Sequence, residues 1–353
     1  MAKTFDFECH PSNAWVTVNR QCNLRCRWCY SENSHFDTSK TMTLQKAKEV
    51  VEAAHSMGVN HFNIIGGEPT LWPELLQLND FCRDLGVETG LITNAVRFAE
   101  GRFWAEYQSH PCDSVSISVK SVDREHFQEV TGFGNYDQVM KGIERGVSFH
   151  QAGVSTVYNS LVGIEGLKDI AMVCRGLGAK SLTVDLCSPV MTDAGADGGF
   201  SIEPHQLAED IMAIQPFLSE LYERHVSFML YIPLCLFPAQ FIERMLKNGQ
   251  MGTTCQVYSR GGVNFDTNGD VLTCNTLLDS VIAKNGSDYH DGPSLLAHLN
   301  SDELRNDYKQ LLRYPSNECV ACRWNTICRG GCLLNWMVFD PSICRAVKEV
   351  MPK

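Results

Sequence analysis

The sequence has no apolar run long enough to cross a bilayer. Its longest, Phe228 to Phe237, is ten residues interrupted by Pro233, against the roughly twenty that a spanning helix needs. The first twenty residues are polar and mixed and lack the apolar core of a secretory signal, so a cytoplasmic location is expected. Basic charge is scarce as well: 30 Lys and Arg stand against 41 Asp and Glu, a net charge of -11. That balance repels nucleic acid and anionic membranes over most of the surface, and neither is expected as a partner. Internal repeats and low-complexity tracts are also missing.

What is present is an ordinary globular composition, 44% apolar and 20% charged, in a chain of 353 residues. That length is long for one core and comfortable for a core domain with a smaller attachment. Sixteen cysteines stand out. Cys82, Cys112 and Cys174 sit singly among apolar neighbours and read as buried thiols. Three others cluster between residues 22 and 29 and four between 319 and 332, with Cys344 soon after. With no export signal, metal binding explains such clustering better than disulfides do.

Seven β-branched or apolar runs, at 15–18, 61–65, 88–92, 114–119, 154–158, 181–186 and 226–231, alternate with helical patterns at about 44–54, 71–86, 136–146, 166–176 and 204–223. This alternation predicts an α/β fold with a mainly parallel sheet and helices outside it. Six or seven units fall short of a full eightfold barrel, so a partial (β/α)6-like barrel, open on one side, is expected. After residue 250 the texture changes to dense cysteines and a hairpin signal over Val263 to Thr273, with its turn at Thr267, Asn268 and Gly269. Residues 284–293 read as a polar surface loop. The expected division is a core of residues 1–235 and a cysteine-rich carboxyl-terminal domain of 236–353, with the boundary between 235 and 254.

Directly after the first expected strand comes Cys22-Asn-Leu-Arg-Cys26-Arg-Trp-Cys29-Tyr30. Three thiolates at this pitch can wrap one small metal centre, one ligand short of a four-thiolate zinc site or a fully protein-ligated [4Fe–4S] cluster. The spacing and the aromatic before the last cysteine resemble the signature of radical S-adenosylmethionine enzymes. The resemblance implies that Cys22, Cys26 and Cys29 hold three irons of a [4Fe–4S] cluster, whose fourth iron S-adenosylmethionine chelates. Gly66-Gly67-Glu68-Pro69-Thr70 resembles the segment binding the methionyl amino group. Asn94 and Ser118 resemble positions near the ribose or methionyl part. Lys120 and Ser121 depart from the pattern, in which many relatives have an acidic residue and a glycine.

Cys319, Cys322, Cys328 and Cys332, followed by Cys344 and preceded by Cys255 and Cys274, resemble the SPASM domain, an extension that carries two auxiliary [4Fe–4S] clusters. The resemblance implies one cluster on Cys319, Cys322, Cys328 and Cys344, and most of another on Cys255, Cys274 and Cys332. Positions 261 and 262 are glycines where many relatives have another cysteine nearby. The remaining iron is therefore left to an open position, a noncysteine ligand or Cys235.

The expected function, by resemblance, is an oxidoreductase that makes a 5′-deoxyadenosyl radical, abstracts a substrate hydrogen, and oxidises or crosslinks a ribosomally made precursor peptide. The alternatives are a dehydrogenase or epimerase acting on a small metabolite such as an aminosugar, or a nonenzymatic iron–sulfur electron-transfer protein. A reduced flavodoxin or ferredoxin-like donor is implied. The twenty-one residues before Cys22 are too few for a fused leader-binding module, which leaves room for a separate leader-recognition protein. Asp185 and Cys187, flanking the end of the sixth strand, are the catalytic candidates as proton acceptor and radical-quenching thiol. Arg260 is a candidate for binding a peptide carboxylate.

Overall fold

Alternating apolar positions make strand β1 (Asn13–Asn19), which buries Ala14, Val16 and Val18, as a half-covered pleated strand does. Helix α1 (Leu44–Ser56) follows. The Thr43 side chain accepts from the Lys46 backbone N–H at its start, and Ala47, Val50, Val51 and Ala54 form its buried stripe. The same alternation continues through β2 (His61–Gly66), α2 (Leu75–Leu85), β3 (Glu88–Thr93), α3 (Gly101–Ser109), β4 (Ser114–Ser118), α4 (Arg124–Thr131), α5 (Tyr136–Val147), β5 (Ala152–Tyr158), α6 (Gly163–Gly176) and β6 (Leu182–Leu186). A small hairpin, β7 (Val190–Thr192) and β8 (Gly195–Asp197), precedes α7 (Pro204–Tyr222), β9 (Val226–Met229), α8 (Ala239–Lys247) and β10 (Met251–Gly252). This computed structural model describes residues 8–31, 37–192, 194–253, 255–277, 280–311, 319 and 322–340.

The carboxyl-terminal part contributes α9 (Gln256–Ser259), β11 (Gly262–Phe265), β12 (Val271–Leu272), β13 (Val281–Ala283), α10 (Gly292–Leu299), α11 (Asp302–Leu311), α12 (Asn325–Cys328) and α13 (Asn335–Val338). One sheet of eleven strands runs in the order β10-β9-β6-β5-β4-β3-β2-β1-β11-β12-β13. Its ladders are parallel from β10 through β11 and antiparallel from β11 to β13. The core is a partial barrel, and β11 extends it by pairing with β1, Asn13 opposite Gly262 and Val16 opposite Phe265.

Register separates two faces. Ile117, Val154, Leu182 and Val226 align across four strands, and Ile117 packs against α5 at Gly146. On the other face Ser118, Ser155, Thr183 and Ser227 align, as do Val157, Asp185 and Met229. The hydroxyls of Ser116 and Ser155 bond at 3.0 Å and those of Thr183 and Ser227 at 3.1 Å. One face is thus apolar under helices, and the other is small and hydroxylic.

Several expectations shift. The helix over 71–86 starts only at Leu75, because residues Pro69–Leu71 form a 3-10 turn and Pro73 intervenes. The last core strand ends at Met229 rather than Tyr231. The segment 284–293 is not merely a surface loop: Tyr289 is buried, its hydroxyl donates to the Gly269 carbonyl, and Asp291 with Ser294 forms a capping box for α10. Helices α3, α4 and α8 carry no pattern that the sequence reading singled out. Among the described residues no helix is long and apolar enough to cross a membrane.

Candidate functional site

The cysteine loop leaves the carboxyl end of β1 and is held from three sides. Arg25 and Arg27 N–H groups donate to the carbonyls of Thr131 and Val130 at the end of α4, at 2.8 and 3.0 Å. Gly67 and Glu68 N–H groups donate to Asn19 and Gln21 carbonyls at 2.9 and 2.8 Å. The Arg20 guanidinium pairs with both Asp266 oxygens, at 3.2 and 2.5 Å, tying the loop to the β11–β12 turn. Both side chains of that pair are nearly buried. The glycines before Glu68 have a definite task here: a Cβ on Gly67 would stand 2.4 Å from the Gln21 carbonyl oxygen, and one on Gly66 would stand 2.5 Å from that of Asn19. The close approach they permit is to this loop.

Within the loop the Cys29 N–H donates to the Cys26 carbonyl at 2.9 Å, a tight turn that brings the thiols round. Burial raises the Cys22 thiol to about 12, and the charges of Glu68, Cys26 and Cys29 add to the shift, against a bond from the Leu24 N–H. A Cys22 thiol whose ionisation is opposed by its neighbours calls for a cation, since metal coordination requires thiolates. Among the described residues no three His, Cys, Asp or Glu side chains gather tightly enough to hold a single metal ion; a multi-iron cluster has the wider span.

Asn94, at the end of β3, joins this loop to Glu68. Its N–H donates to Glu68 Oε2 at 2.7 Å, and its Nδ2 reaches Asn23 Oδ1 at 2.7 Å and Cys22 Sγ at 3.9 Å. Glu68 is 1% exposed. Its Oε1 already accepts from the Thr70 N–H and hydroxyl and from the Thr93 hydroxyl, whereas Oε2 accepts only the Asn94 bond among the bonds described. Asn19 donates from Nδ2 to the Glu68 carbonyl, and its buried Oδ1 has no hydrogen-bond partner among the described residues. Acceptor capacity beside Cys22 fits an ammonium group, so these residues suit a cluster with an amino-acid-like ligand. Pro69 is buried and starts the 3-10 turn that Glu68 caps.

At the end of β6, Asp185 lies on the hydroxylic face. Burial pushes its carboxyl up to about 6, moderated by the Lys120 ammonium. Lys120 Nζ donates to the Ser118 hydroxyl, so Lys120 and Ser118 serve this end of the sheet. Asp185 is the fourth residue of β6. Cys187 has its thiol raised to about 12 by burial and by the neighbouring charge of Cys29, which places it beside the first cysteine group.

The carboxyl-terminal cysteines fall into two neighbourhoods. Tyr231 is pushed up by burial and by the nearby charges of Asp185, Cys255, Cys274 and Cys332. Tyr30 is pushed up by burial and by the charges of Cys29, Cys274 and Cys22, against that of Arg20, so it is near members of both cysteine groups. Cys328 instead has Cys235 and Cys319 as charged neighbours. Cys322 donates its N–H to the Cys319 carbonyl at 3.0 Å. Cys344 lies outside the described residues. Arg260 is buried, donates to the Leu299 carbonyl and lies over the Tyr308 ring, which corrects its expected role as a carboxylate binder. The fifteen described cysteines form no disulfide among themselves.

Spacing alone identified the cysteines. It missed Lys120 beside Asp185, Tyr231 near the carboxyl-terminal thiols and the placement of Cys235 near Cys328, because each depends on strand register or a contact far along the chain.

Residues 16–174 match the sequence pattern of the Radical SAM superfamily. A probable GTP 3',8-cyclase of Methanococcus aeolicus is 29% identical over 171 residues, 46% of this chain and 55% of that protein. A probable GTP 3',8-cyclase of Pyrococcus abyssi is 30% identical over 134 residues, 38% of this chain and 43% of that protein. The chain spans about half the length of these curated relatives. Among solved structures, Streptococcus suis SuiB bound to precursor peptide SuiA superposes with TM-score 0.72 at 17% identity, covering 94% of this chain and 74% of that one. Native anSMEcpe with bound AdoMet and Cp18Cys peptide gives 0.67 at 17% identity, covering 96% and 95%. These likenesses extend the shared fold over nearly the whole chain.

Proposed function

We propose, from the premise that its residues 16–174 make this chain a member of the Radical SAM superfamily, an oxidoreductase that modifies or crosslinks a ribosomally made precursor peptide. The observation that carries the reading is Asn94 linking Cys22 to Glu68 at the carboxyl ends of parallel strands, the end at which such sheets build ligand sites. The peptide class is supported by the fold shared with SuiB, whose structure holds the precursor peptide SuiA. The domain division is proposed as a core of residues 1–235 and an auxiliary-cluster region of 236–353.

Cys22, Cys26 and Cys29 would hold the core [4Fe–4S] cluster, and Glu68 Oε2 with Asn94 would orient the amino group of S-adenosylmethionine. Gly66 and Gly67 set Glu68 against the cysteine loop, and Pro69 fixes the turn behind it. Cys255, Cys274 and Cys332 would hold one auxiliary cluster, and Cys319, Cys322 and Cys328 another, with Cys344 as the fourth ligand that the family resemblance implies. When bound, these groups supply reductive formation of a 5′-deoxyadenosyl radical that removes a substrate hydrogen atom. Asp185 would accept, at its carboxylate, the proton lost as the substrate is oxidised, with Lys120 and Ser118 holding it in place. Cys187, close to Cys29, would be the hydrogen-donating thiol if the product were an epimer. The proposed partners are a reduced flavodoxin or ferredoxin-like donor and a separate leader-recognition protein, in the reducing cytoplasm that so many thiols suit.

The test is anaerobic. Wild-type protein with dithionite should form 5′-deoxyadenosine and Cys26→Ala should form none; continued formation by a reconstituted Cys26→Ala overturns the core assignment. A candidate precursor peptide should lose two hydrogens by mass spectrometry, whereas turnover of a nucleotide or sugar alone would replace the peptide reading.

A further inference from the structure

The segment after β9 and the segment around α12 are stitched together. The Cys332 N–H and the Asn335 Nδ2 both donate to the Tyr231 carbonyl, at 2.7 and 3.1 Å. Gly331 sits so close to that strand end that a Cβ there would meet the Tyr231 oxygen at 2.7 Å and the Ile232 Cα at 2.8 Å. Three residues further along the first segment, the Leu234 N–H donates to Cys328 Sγ at 3.3 Å. The residue following Leu234 is Cys235, and its thiol and that of Cys319 are both charged neighbours of Cys328. Cys322 is held to Cys319 by one backbone bond across two intervening residues.

A second, independent observation lies on the same turn. The Nε1 of Trp324 and the Nδ2 of Asn325 are buried donors with no hydrogen-bond partner among the described residues, and Asn325 is 3% exposed. Buried N–H groups without acceptors are costly and call for an acceptor that the protein itself does not provide. Both stand between Cys322 and Cys328 in the chain, where the sulfides and thiolates of an iron–sulfur cluster would accept from them.

We propose that Cys235 takes the fourth iron of the iron–sulfur cluster built on Cys319, Cys322 and Cys328, the position that the family resemblance gives to Cys344, with Trp324 and Asn325 donating to that cluster. Binding places the Cys235 thiolate on iron and releases its proton to water. The sequence expectation that Cys235 completes the cluster of Cys255, Cys274 and Cys332 is thereby given up. The inference rests on the reading that the carboxyl-terminal cysteines hold iron–sulfur clusters.

The full-length chain, reconstituted anaerobically, should hold about twelve irons, four per cluster. Cys235→Ala should lose iron from one cluster and give a three-iron electron paramagnetic resonance signal after mild oxidation. Cys235→Ser, whose hydroxyl can still reach iron, should keep four irons there with altered spectra. Trp324→Phe should shift the reduction potential of that same cluster. Unchanged iron content and spectra in Cys235→Ala overturn the inference whatever Cys344→Ala does, and zinc in place of iron overturns it too. A wild-type chain holding only about four irons would instead sink the auxiliary-cluster reading beneath it. Equal thermal melting of the apo forms of wild type and Cys235→Ala separates ligand loss from misfolding.

Discussion

Asp185 sits on the face of β6 that the helices leave bare, where burial raises its carboxyl to about 6 against the pull of Lys120. The folded chain therefore keeps this proton across a pH range in which the unfolded chain has released it. Its stabilising contribution is complete below the ordinary carboxyl range and is lost as pH rises through about 6. The loss amounts to at most about 3 kcal/mol for a shift of roughly two units. Thermal unfolding of the apo chain should fall in midpoint from pH 4 to 7, and Asp185→Asn should flatten that slope and melt higher than wild type at pH 7. An Asn variant with the wild-type slope would assign the titration elsewhere. The carboxylate proposed to take a substrate proton is thus also one that the fold would be more stable without at neutral pH.

At the scale of elements, the meeting of β2's end with the cysteine loop decides where the thiols stand. Gly67→Ala would set a methyl against the Gln21 and Arg20 carbonyl oxygens, at 2.4 and 2.6 Å, and backbone on both sides leaves no side chain to yield. We expect a destabilisation of about 1–3 kcal/mol in denaturant melts, together with lost iron at the core cluster. Elements of this kind were legible where periodicity was strong. The β-branched runs of β1 to β6 and the stripe of α1 could be read directly, as could the hairpin turn at Gly269, whose φ of 88° favours glycine. Tyr289 was hidden because nothing in a polar segment announces that its tyrosine reaches Gly269, twenty residues back. The cysteines could be read because their spacing is local. The grouping of Cys274 with Cys332 was implied by the family resemblance, whereas that of Cys235 with Cys328 was not, since it follows from folding distant segments together.

Across the whole molecule, the bond between the first cysteine loop and the carboxyl-terminal part is concentrated in Arg20 and Asp266, with side chains 10% and 13% exposed. Removing one member of such a pair leaves a charge buried without compensation. Asp266→Asn and Arg20→Ala should each destabilise by about 3–5 kcal/mol, and the double variant by much less than their sum. Additive losses in equilibrium unfolding would show that the pair does not act as a unit.

The pairing of β1 with β11 also sets an order of assembly. On a ribosome β1 emerges long before β11, and β2 can join one side of it within some tens of residues; the other side waits for Gly262 to Phe265. Until then one row of backbone donors and acceptors is an open edge, of the kind that pairs with other chains. Closing it spans most of the chain, the sort of long-range contact that forms slowly. The strand that leads into the loop of Cys22, Cys26 and Cys29 is begun early and completed late, so crowding, or truncation before residue 262, would expose the nascent chain to aggregation beside its own cysteine loop.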